Sequence, residues 1–244
     1  MCSEALRSAL LPTLLLSTAL VRPSLAAEST AADSPRPAAV TLARFIAGQE
    51  EAGHWPLETI EIEASLPKLK KTGRLRAIRR LLPGGHPDYQ VLEVAGDSTV
   101  KSQLIVRYVS ADITAAELPS SSLAINPANY KIHYAGTIPL EQGLAYAFRI
   151  TPRSKREGLV DGTFWLDSET GIAVRESGYF VKNPSIFLKR INLTRENVLH
   201  NGTVEARITH ISIETRIVGR AQLVVVERPC PDELTVQSAV AGGR

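Results

Sequence analysis

Residues 144–180 read LAYAFRITPRSKREGLVDGTFWLDSETGIAVRESGYF, three short runs of alternating apolar and polar residues separated by turn-forming residues. Similar runs continue on both sides of this stretch, and their period of two is typical of half-buried strands. Consecutive strands on short connections pair antiparallel, because a parallel pair needs a long crossover. The second half of the chain therefore predicts one meandering antiparallel sheet. Its strands are expected at 130–137, 144–151, 160–167, 172–180, 188–198, 204–217 and 221–227.

Fewer elements are predicted before residue 130. They are helices at 40–51 and 97–117 and strands at 59–66, 74–81 and 89–95. Ile78 and Arg79 interrupt the alternation of the second of these strands, which predicts a bulge at that point. A sheet of about ten strands curls on itself. The expected fold is therefore α+β and mainly antiparallel β, with a large, curved, half-open barrel-like sheet covered by a few helices.

The first residues have the features of an export signal. Arg7 precedes an apolar run at 9–20, and Ser24 and Ala26 offer the small side chains that a signal peptidase reads. The run is shorter than the roughly 20 apolar residues that a membrane-spanning helix needs. Residues 1–26 are therefore predicted to be a cleaved signal peptide, which places the protein in the periplasm or outside the cell. A buried or anchoring N-terminal helix is the alternative.

Composition divides the rest of the chain. Residues 27–39 are rich in Ala, Ser, Thr and Pro and are predicted to form a disordered linker. Residues 40–228 are long enough for a single domain with a sizeable core, and 229–244 are expected to be a disordered tail. Cys230 is the only cysteine after the signal, so a disulfide framework is excluded and a passive thiol is expected. The net charge of +3 is too small to indicate a nucleic-acid partner.

A run of basic residues follows the first predicted strand. Its members are Lys68, Lys70, Lys71, Arg74, Arg76, Arg79 and Arg80. Glu61 and Glu63 of the preceding strand can pair with the arginines across a hairpin, so a solvated hairpin face is one interpretation. The other interpretation is a patch for anionic lipid or another polyanion. Lys68, Lys70 and Lys71 have no such acidic partners and are the candidates for head-group or membrane contact.

The sequence contains no recognisable motif for catalysis or metal binding. None of the five histidines lies three or four residues from another histidine or from a cysteine, so no metal site is predicted. A nucleophile elbow, a phosphate-binding glycine loop and a dinucleotide-binding fingerprint are also missing. Asp167, Glu169 and Gly171 are interpreted as parts of a hairpin turn and not as catalytic carboxylates. No enzyme activity and no cofactor are predicted.

Large apolar side chains are the remaining candidates for a functional site. Tyr134, Tyr146, Phe148, Phe164 and Leu166 are expected to share the inner face of the curved sheet. Two predicted helices are few for covering such a face. These side chains would therefore either line an apolar cavity for a ligand or form a closed core, and the sequence leaves both interpretations open.

Several motifs in this region have counterparts in a known family. They are YAFRITPR at 146–153, GTFWLD at 162–167, TGIAVR at 170–175 and PSIFLKR at 184–190. With the export signal, the short N-terminal helix, the strand pair and the mid-chain helix, they resemble the superfamily of periplasmic lipoprotein carriers with the LolA/LolB-like fold, across residues 40–228. This resemblance implies a half-open barrel lidded by helices, an apolar cavity for acyl chains and no catalytic residues. No lipobox cysteine is present, so a lipid anchor is not implied.

The hypothesis from sequence is therefore a non-enzymatic exported protein that binds a hydrophobic ligand on the concave face of its sheet. The ligand would be a lipid or the acyl chain of a lipidated partner protein, with peripheral contact to a membrane and none to nucleic acid. Two alternatives stay open. One is a periplasmic protein-interaction or sensor module with a filled core, and the other is a hydrolase whose site has no recognisable motif.

Overall fold

The computed structural model describes residues 35–49, 55–141, 143–183, 188–216 and 219–230. The predicted signal peptide at 1–26, and most of the predicted linker and tail, lie outside the described residues. The helices are α1 (Pro35–Gly48), α2 (Ser98–Val100), α3 (Val106–Ala116) and α4 (Ser120–Leu123), and a π-helical turn (Lys101–Ile105) joins α2 to α3. The strands are β1 (Leu57–Leu66), β2 (Lys71–Leu81), β3 (Pro87–Gly96), β4 (Tyr130–Pro139), β5 (Leu144–Pro152), β6 (Val160–Asp167), β7 (Ala173–Phe180), β8 (Leu188–His200), β9 (Thr203–Thr215) and β10 (Arg220–Pro229).

All ten strands form one antiparallel sheet in the order β3-β2-β1-β10-β9-β8-β7-β6-β5-β4. Consecutive strands from β4 to β10 are neighbours, and β10 then pairs with β1, so the first and last strands lie side by side inside the sheet. Within the described residues, β3 and β4 each pair on one side only, which leaves the sheet open. The predicted fold class, a curved half-open antiparallel sheet with a few helices, is confirmed.

Element boundaries agree closely with the sequence, with one difference at the N-terminal helix. β6 has the predicted bounds, and the other strands of the second half differ by at most two residues at either end. Helix α1 begins at Pro35 instead of Val40 and ends at Gly48. It therefore includes residues 35–39, which the sequence assigned to the linker.

The bulge predicted at Ile78 and Arg79 is wrong in its position. β1 and β2 pair in unbroken register, with Glu58 opposite Arg79. The register shift lies instead in the pairing of β2 with β3, between Arg76 and Ala77. Arg79 therefore continues the alternation of β2 and points into the interior, where carboxylates surround it. Ile78 is buried on the other side of the strand, at 4% exposure.

Two facing glycines allow the sheet to bend between β6 and β7. Gly162 and Gly178 are paired across these strands. A Cβ atom on Gly178 would collide with the carbonyl oxygen of Asp161 and lie 2.6 Å from a methyl group of Val160. The two backbones approach more closely here than strands with side chains can, and glycine at such a point marks a bend. The pair therefore permits the sheet to curl towards its concave face at this point.

The two faces of the sheet differ in chemistry. One cross-strand row of the concave face contains Tyr134, Phe148, Phe164, Glu176, Arg195, Thr209, Val225, Ile62 and Leu75. The row is apolar towards both edges of the sheet and polar in between. The convex face carries exposed ion pairs, such as Arg76 with Glu61 and Arg175 with Glu196. The protein thus has two apolar clusters on its concave face, one below α1 and one below the helical segment from α2 to α3.

The segment from α2 to α3 packs across β1, β2 and β3. The Asp97 carboxylate caps its first turn by accepting hydrogen bonds from the backbone N–H groups of Thr99 and Val100. Val100 is fully buried and Ile105, in the π turn, is 2% exposed. A π turn adds a residue and shifts the helical phase. Asp112, a charged residue of α3, faces the interior side of the sheet, where it accepts a hydrogen bond from Arg79.

Candidate functional site

The five residues predicted to line a ligand site lie together in one apolar cluster on the concave face. This aromatic cluster contains Tyr134, Tyr146, Phe148, Phe164 and Leu166 together with Tyr130, Ile150, Leu159 and Ala38. The rings of Phe148 and Phe164 stack with their centroids 5.3 Å apart, and Tyr134 meets Phe148 edge-on at 6.0 Å. Phe164 and Leu166 have no exposed surface. Side chains of the protein itself therefore surround the predicted lining residues.

Helix α1 covers the aromatic cluster. The ring of Phe45 on α1 lies 5.3 Å from that of Phe164, and Ala38 is fully buried beneath the helix. Among the 14 residues of α1, only Ala38 and Thr41 are buried, and Val40 is 62% exposed. The helix therefore rests on the cluster through a small number of apolar contacts.

Polar contacts connect α1 to two loops. The hydroxyl of Thr41 donates to the carbonyl oxygen of Ser168 at 3.3 Å, and the guanidinium of Arg44 donates to that of Glu169. After the helix, the side-chain amide of Gln49 exchanges two hydrogen bonds with the backbone of Ile125, at 2.8 and 2.9 Å. Each such bond contributes about 0.5–1.5 kcal/mol to stability. Together they orient α1 without burying it.

A buried charged network lies on the other half of the concave face. Arg79 is 1% exposed. It is hydrogen-bonded to Glu58 on the neighbouring strand β1 and to Glu227 on β10, the strand beyond β1. Its Nη1 atom donates to Asp112 of α3 at 2.9 Å, and the hydroxyl of Tyr89 donates to the same carboxylate at 2.6 Å. We call these five residues the Arg79 cluster. One guanidinium thereby links β1, β10 and α3.

Burial governs the protonation of the Arg79 cluster. Desolvation raises the pKa of Glu58 to about 7 although the adjacent Arg79 opposes the shift, and the nearby Glu227 adds to the rise. The Oε2 atom of Glu58 is buried without a hydrogen-bond partner among the described residues. Burial alone would lower the pKa of the Arg79 guanidinium. The nearby carboxylates of Asp112, Glu58 and Glu227 raise it by more, so the pKa is raised overall. Glu58 therefore titrates inside the protein near neutral pH.

The three lysines predicted to contact head groups have different surroundings. Lys68 and Lys70 are exposed at the turn between β1 and β2, and neither has an ion-pair partner in the part of the chain that the structure describes. Lys71 pairs with Asp97, with 3.1 Å between Nζ and Oδ2. Leu69, between the first two lysines, has 43% of its surface exposed. Lys68 and Lys70 therefore keep an uncompensated charge next to an exposed apolar side chain.

The arginines that follow are divided between the two faces. Arg76 pairs with Glu61 at 3.4 Å on the convex face, as the solvated-hairpin interpretation expects, and Arg74 pairs with Glu93 of β3. Arg79 lies inside. The basic run is therefore not one continuous patch.

Other polar features are separate from the aromatic cluster. Asp167 accepts hydrogen bonds from the backbone of Glu169 and Thr170, which agrees with its interpretation as a turn residue. An open hollow of about 460 Å³ on the convex side is lined by Glu63, Ser65, Thr72, Arg74 and Gln222, among others. Within the described ranges, no three His, Cys, Asp or Glu side chains are grouped so as to hold a metal ion. None of the helices described reaches the length and apolarity that a membrane span requires.

The edge strand β3 is unusually apolar for an exposed position. Val91, Leu92 and Val94 are 56%, 41% and 51% exposed. In the described residues β3 pairs only with β2, so its outer backbone groups have no neighbouring strand. An edge of this kind accepts an added strand from another chain. If the protein is an interaction module, this edge would be the surface that binds the partner.

Two parts of this site were missed by sequence reasoning. The covering role of α1 depends on Ala38, which precedes the predicted helix start. The Arg79 cluster depends on long-range pairing between β1 and β10, which no local pattern specifies. One signal was available: counting back from the turn at 67–70 places Glu58 opposite Arg79, and two opposite charges in facing apolar positions indicate a buried pair.

The solved structures that are similar to this chain include a lipoprotein-sorting protein domain, which is the class of protein named from the sequence motifs. An outer membrane lipoprotein-sorting protein domain from Vibrio parahaemolyticus is 13% identical, with a TM-score of 0.37 over 81% of this chain and 97% of that one. A DUF1329 family protein from Desulfovibrio piger ATCC 29098 is 11% identical, with a TM-score of 0.36 over 78% and 91%. MucB is 13% identical, with a TM-score of 0.29 over 84% and 96%. No family model and no curated protein matches the sequence. Likenesses this distant do not assign a function.

Proposed function

We propose that this chain is an exported protein that binds a hydrophobic ligand between the aromatic cluster and α1. The ligand is a lipid or the acyl chain of a lipidated protein, and the binding is not enzymatic. One observation carries the proposal: a helix with two buried residues covers five large apolar side chains on a concave face. Tyr134, Tyr146, Phe148, Phe164 and Leu166 form the floor of the site, and α1 is its movable cover.

The free energies involved make such an exchange feasible. Leu42 and Phe45 are the large apolar side chains that α1 places on the cluster, and both are half-buried. Full burial of such side chains stabilises by about 1.5–3 kcal/mol each, so their partial burial contributes less. An acyl chain gains about 0.8 kcal/mol for each buried CH₂ group. An acyl chain of about eight carbons therefore offsets the loss of the apolar contacts of Leu42 and Phe45.

A disulfide between α1 and the loop that follows β6 tests the proposal. A Cβ atom at Gly171 would lie 3.7 Å from the Cβ atom of Arg44, and disulfides need about 3.8 Å between these atoms. The Arg44→Cys/Gly171→Cys protein is prepared with Cys230→Ser to avoid a competing thiol. We expect the oxidised protein to lose uptake of a fluorescent long-chain fatty acid and the reduced protein to regain it. The reduced form is the matched control, since it has the same substitutions and the same strain at the positive φ of residue 171.

Equal uptake by the oxidised and reduced proteins would show that α1 does not move, and would refute the site. If the wild-type protein also takes up no fatty acid and carries no bound lipid in native mass spectrometry, the filled-core interaction module is the better description. The exposed edge of β3 would then be the surface to examine.

A further inference from the structure

The connections at the two ends of the sheet differ in charge. Antiparallel pairing places the described parts of several connections at one end, which we call the basic end: 67–70, 97, 124–129, 153–159, 181–183, 216 and 219. They contain Lys68, Lys70, Arg153, Lys155, Arg156, Lys182 and Arg216, against the acidic residues Asp97 and Glu157. The described parts of the strand connections at the opposite end, 82–86, 140–141, 143, 168–172 and 201–202, contain Glu141 and Glu169 and neither Lys nor Arg. The strand connections at the two ends of the sheet therefore differ strongly in charge.

The two acidic residues of the basic end are already neutralised. Asp97 pairs with Lys71 of β2, and Glu157 pairs with Lys182, each at 3.1 Å. Lys155 keeps its charge, because it has no carboxylate partner in the described chain. The same is true of Lys68 and Lys70.

The two arginines of the loop between β5 and β6 bond to neutral groups. Arg153 donates to the carbonyl oxygen of Pro127 at 2.7 Å, and Arg156 donates to the side-chain oxygen of Asn129 at 2.9 Å. Such bonds fix the direction of a guanidinium without cancelling its charge. Both side chains are exposed, so their charge faces the solvent at this end.

The interior next to the basic end is apolar. Ile191, Ile213 and Ala221 face one another across β8, β9 and β10 close to this end. Near the opposite end, the concave face is occupied by Arg79 and its three carboxylates. On β8, β9 and β10 the apolar side chains therefore lie nearest to the basic end, whereas the buried charges of the Arg79 cluster lie near the opposite end.

An exposed leucine distinguishes between classes of polyanion. Leu69 lies between Lys68 and Lys70 at the tip of the turn, with 43% of its surface exposed. A nucleic acid offers phosphates to the lysines but no apolar region to the leucine. A bilayer offers both, because its anionic head groups lie above hydrocarbon. The cations are also distributed over several loops, which fits an extended surface better than a single small anion.

We infer that the basic end docks on a membrane surface that contains anionic lipids, with the apolar part of the interior directed towards the bilayer. Docking depends on the charge of this end and not on ligand binding. Only the direction in which an acyl chain would leave the protein rests on the proposed function. Attraction of each surface cation to an anionic bilayer strengthens binding severalfold and falls with salt.

Flotation of the purified protein with lipid vesicles tests the docking. We expect binding to phosphatidylcholine vesicles that contain about a third phosphatidylglycerol, little binding to pure phosphatidylcholine, and loss of binding at high salt. The Lys68→Glu/Lys155→Glu protein should bind the anionic vesicles at least about tenfold more weakly. The Arg36→Glu/Arg228→Glu protein is the matched control, because it changes the net charge equally at exposed positions away from the basic end.

Equal binding to both kinds of vesicle would overturn the inference, as would an equal loss in the control protein. Binding to duplex DNA with no binding to anionic vesicles would overturn it as well. Uptake of the fluorescent fatty acid separates the two proposals. The Lys68→Glu/Lys155→Glu protein should retain uptake, whereas vesicle binding without any uptake by the wild type would refute the proposed function alone.

Discussion

Arg79 of β2 lies directly opposite Glu58 of β1, and the two side chains are 1% and 0% exposed. The pKa of Glu58 is raised from 4.5 to about 7, mainly by burial. Between these two values the folded protein holds a proton that the unfolded chain has released. The free energy of unfolding should therefore fall as the pH rises from about 4.5 to 7, by as much as about 3 kcal/mol.

Replacing the carboxylate tests this pH dependence. Glu58→Gln keeps the shape of the side chain, places an amide where Oε2 has no partner, and removes the titration. We expect urea unfolding of the wild type to show lower stability at about pH 8 than at about pH 5, and the variant to show a much smaller difference. The same pH slope in both proteins would assign the effect to another group.

The Arg79 cluster should be far more important for stability than the surface ion pairs. Arg79→Met removes the cation that Glu58, Glu227 and Asp112 share. Arg207 still lies 3.8 Å from Glu227, but Glu58 is left fully buried beside an apolar side chain, and the loss should cost about 3–5 kcal/mol. Arg74→Met removes an exposed pair with Glu93 and should cost about 0–1 kcal/mol. Chemical denaturation measures both. Hydrogen exchange should also accelerate in α3 of the first variant, because Asp112 loses its link to the sheet, and unchanged exchange would contradict that link.

Phe164 should behave as a fully packed residue while α1 is in place. It has no exposed surface and contacts the rings of Phe45 and Phe148, so Phe164→Ala should cost about 3–5 kcal/mol in urea unfolding. Val40→Ala changes an exposed residue of the covering helix and should alter stability by less than about 0.5 kcal/mol. A loss below about 1.5 kcal/mol for Phe164→Ala would indicate that the cluster is looser than its burial implies.

The glycine pair should be intolerant of any side chain. Gly178→Ala forces β6 and β7 apart, since its methyl group would collide with the backbone at Asp161, and we expect a loss of several kcal/mol or failure to fold. Gly48→Ala is the control, because a Cβ atom at this last residue of α1 meets nothing within 4 Å and should change stability little. Equal melting temperatures for the two variants would show that the bend does not depend on this pair.

The strands of this fold were predictable because their pattern is local. Each run from β4 to β10 alternates and ends at turn residues, such as Gly171 after β6, and both signals can be read within about ten residues. Packing between distant segments was not predictable. The inward direction of the Arg79 side chain illustrates this. In the local sequence, a charged residue at an apolar position indicates an irregular strand. Only the pairing of β1 with the distant β10 brings Glu227 beside it.

The candidate site was predictable in part for the same reason. Alternation correctly grouped Tyr146 and Phe148 with Phe164 on the concave face, and the register of β4, β5 and β6 brings them together. Whether that face is open or covered depends on α1. Its contact with the sheet rests on single residues such as Ala38 and Phe45, which have no distinctive pattern in a short helix.

The pairing of β1 with β10 has a consequence for incomplete chains. Thr59 is matched with Arg228, so the first hairpin to leave the ribosome lacks one of its neighbours until nearly the whole polypeptide has been made. A premature stop codon between Thr215 and Arg220 would remove β10 and leave bare the backbones of both β1 and β9. Such truncated products should aggregate through these exposed edges instead of persisting as smaller folded fragments.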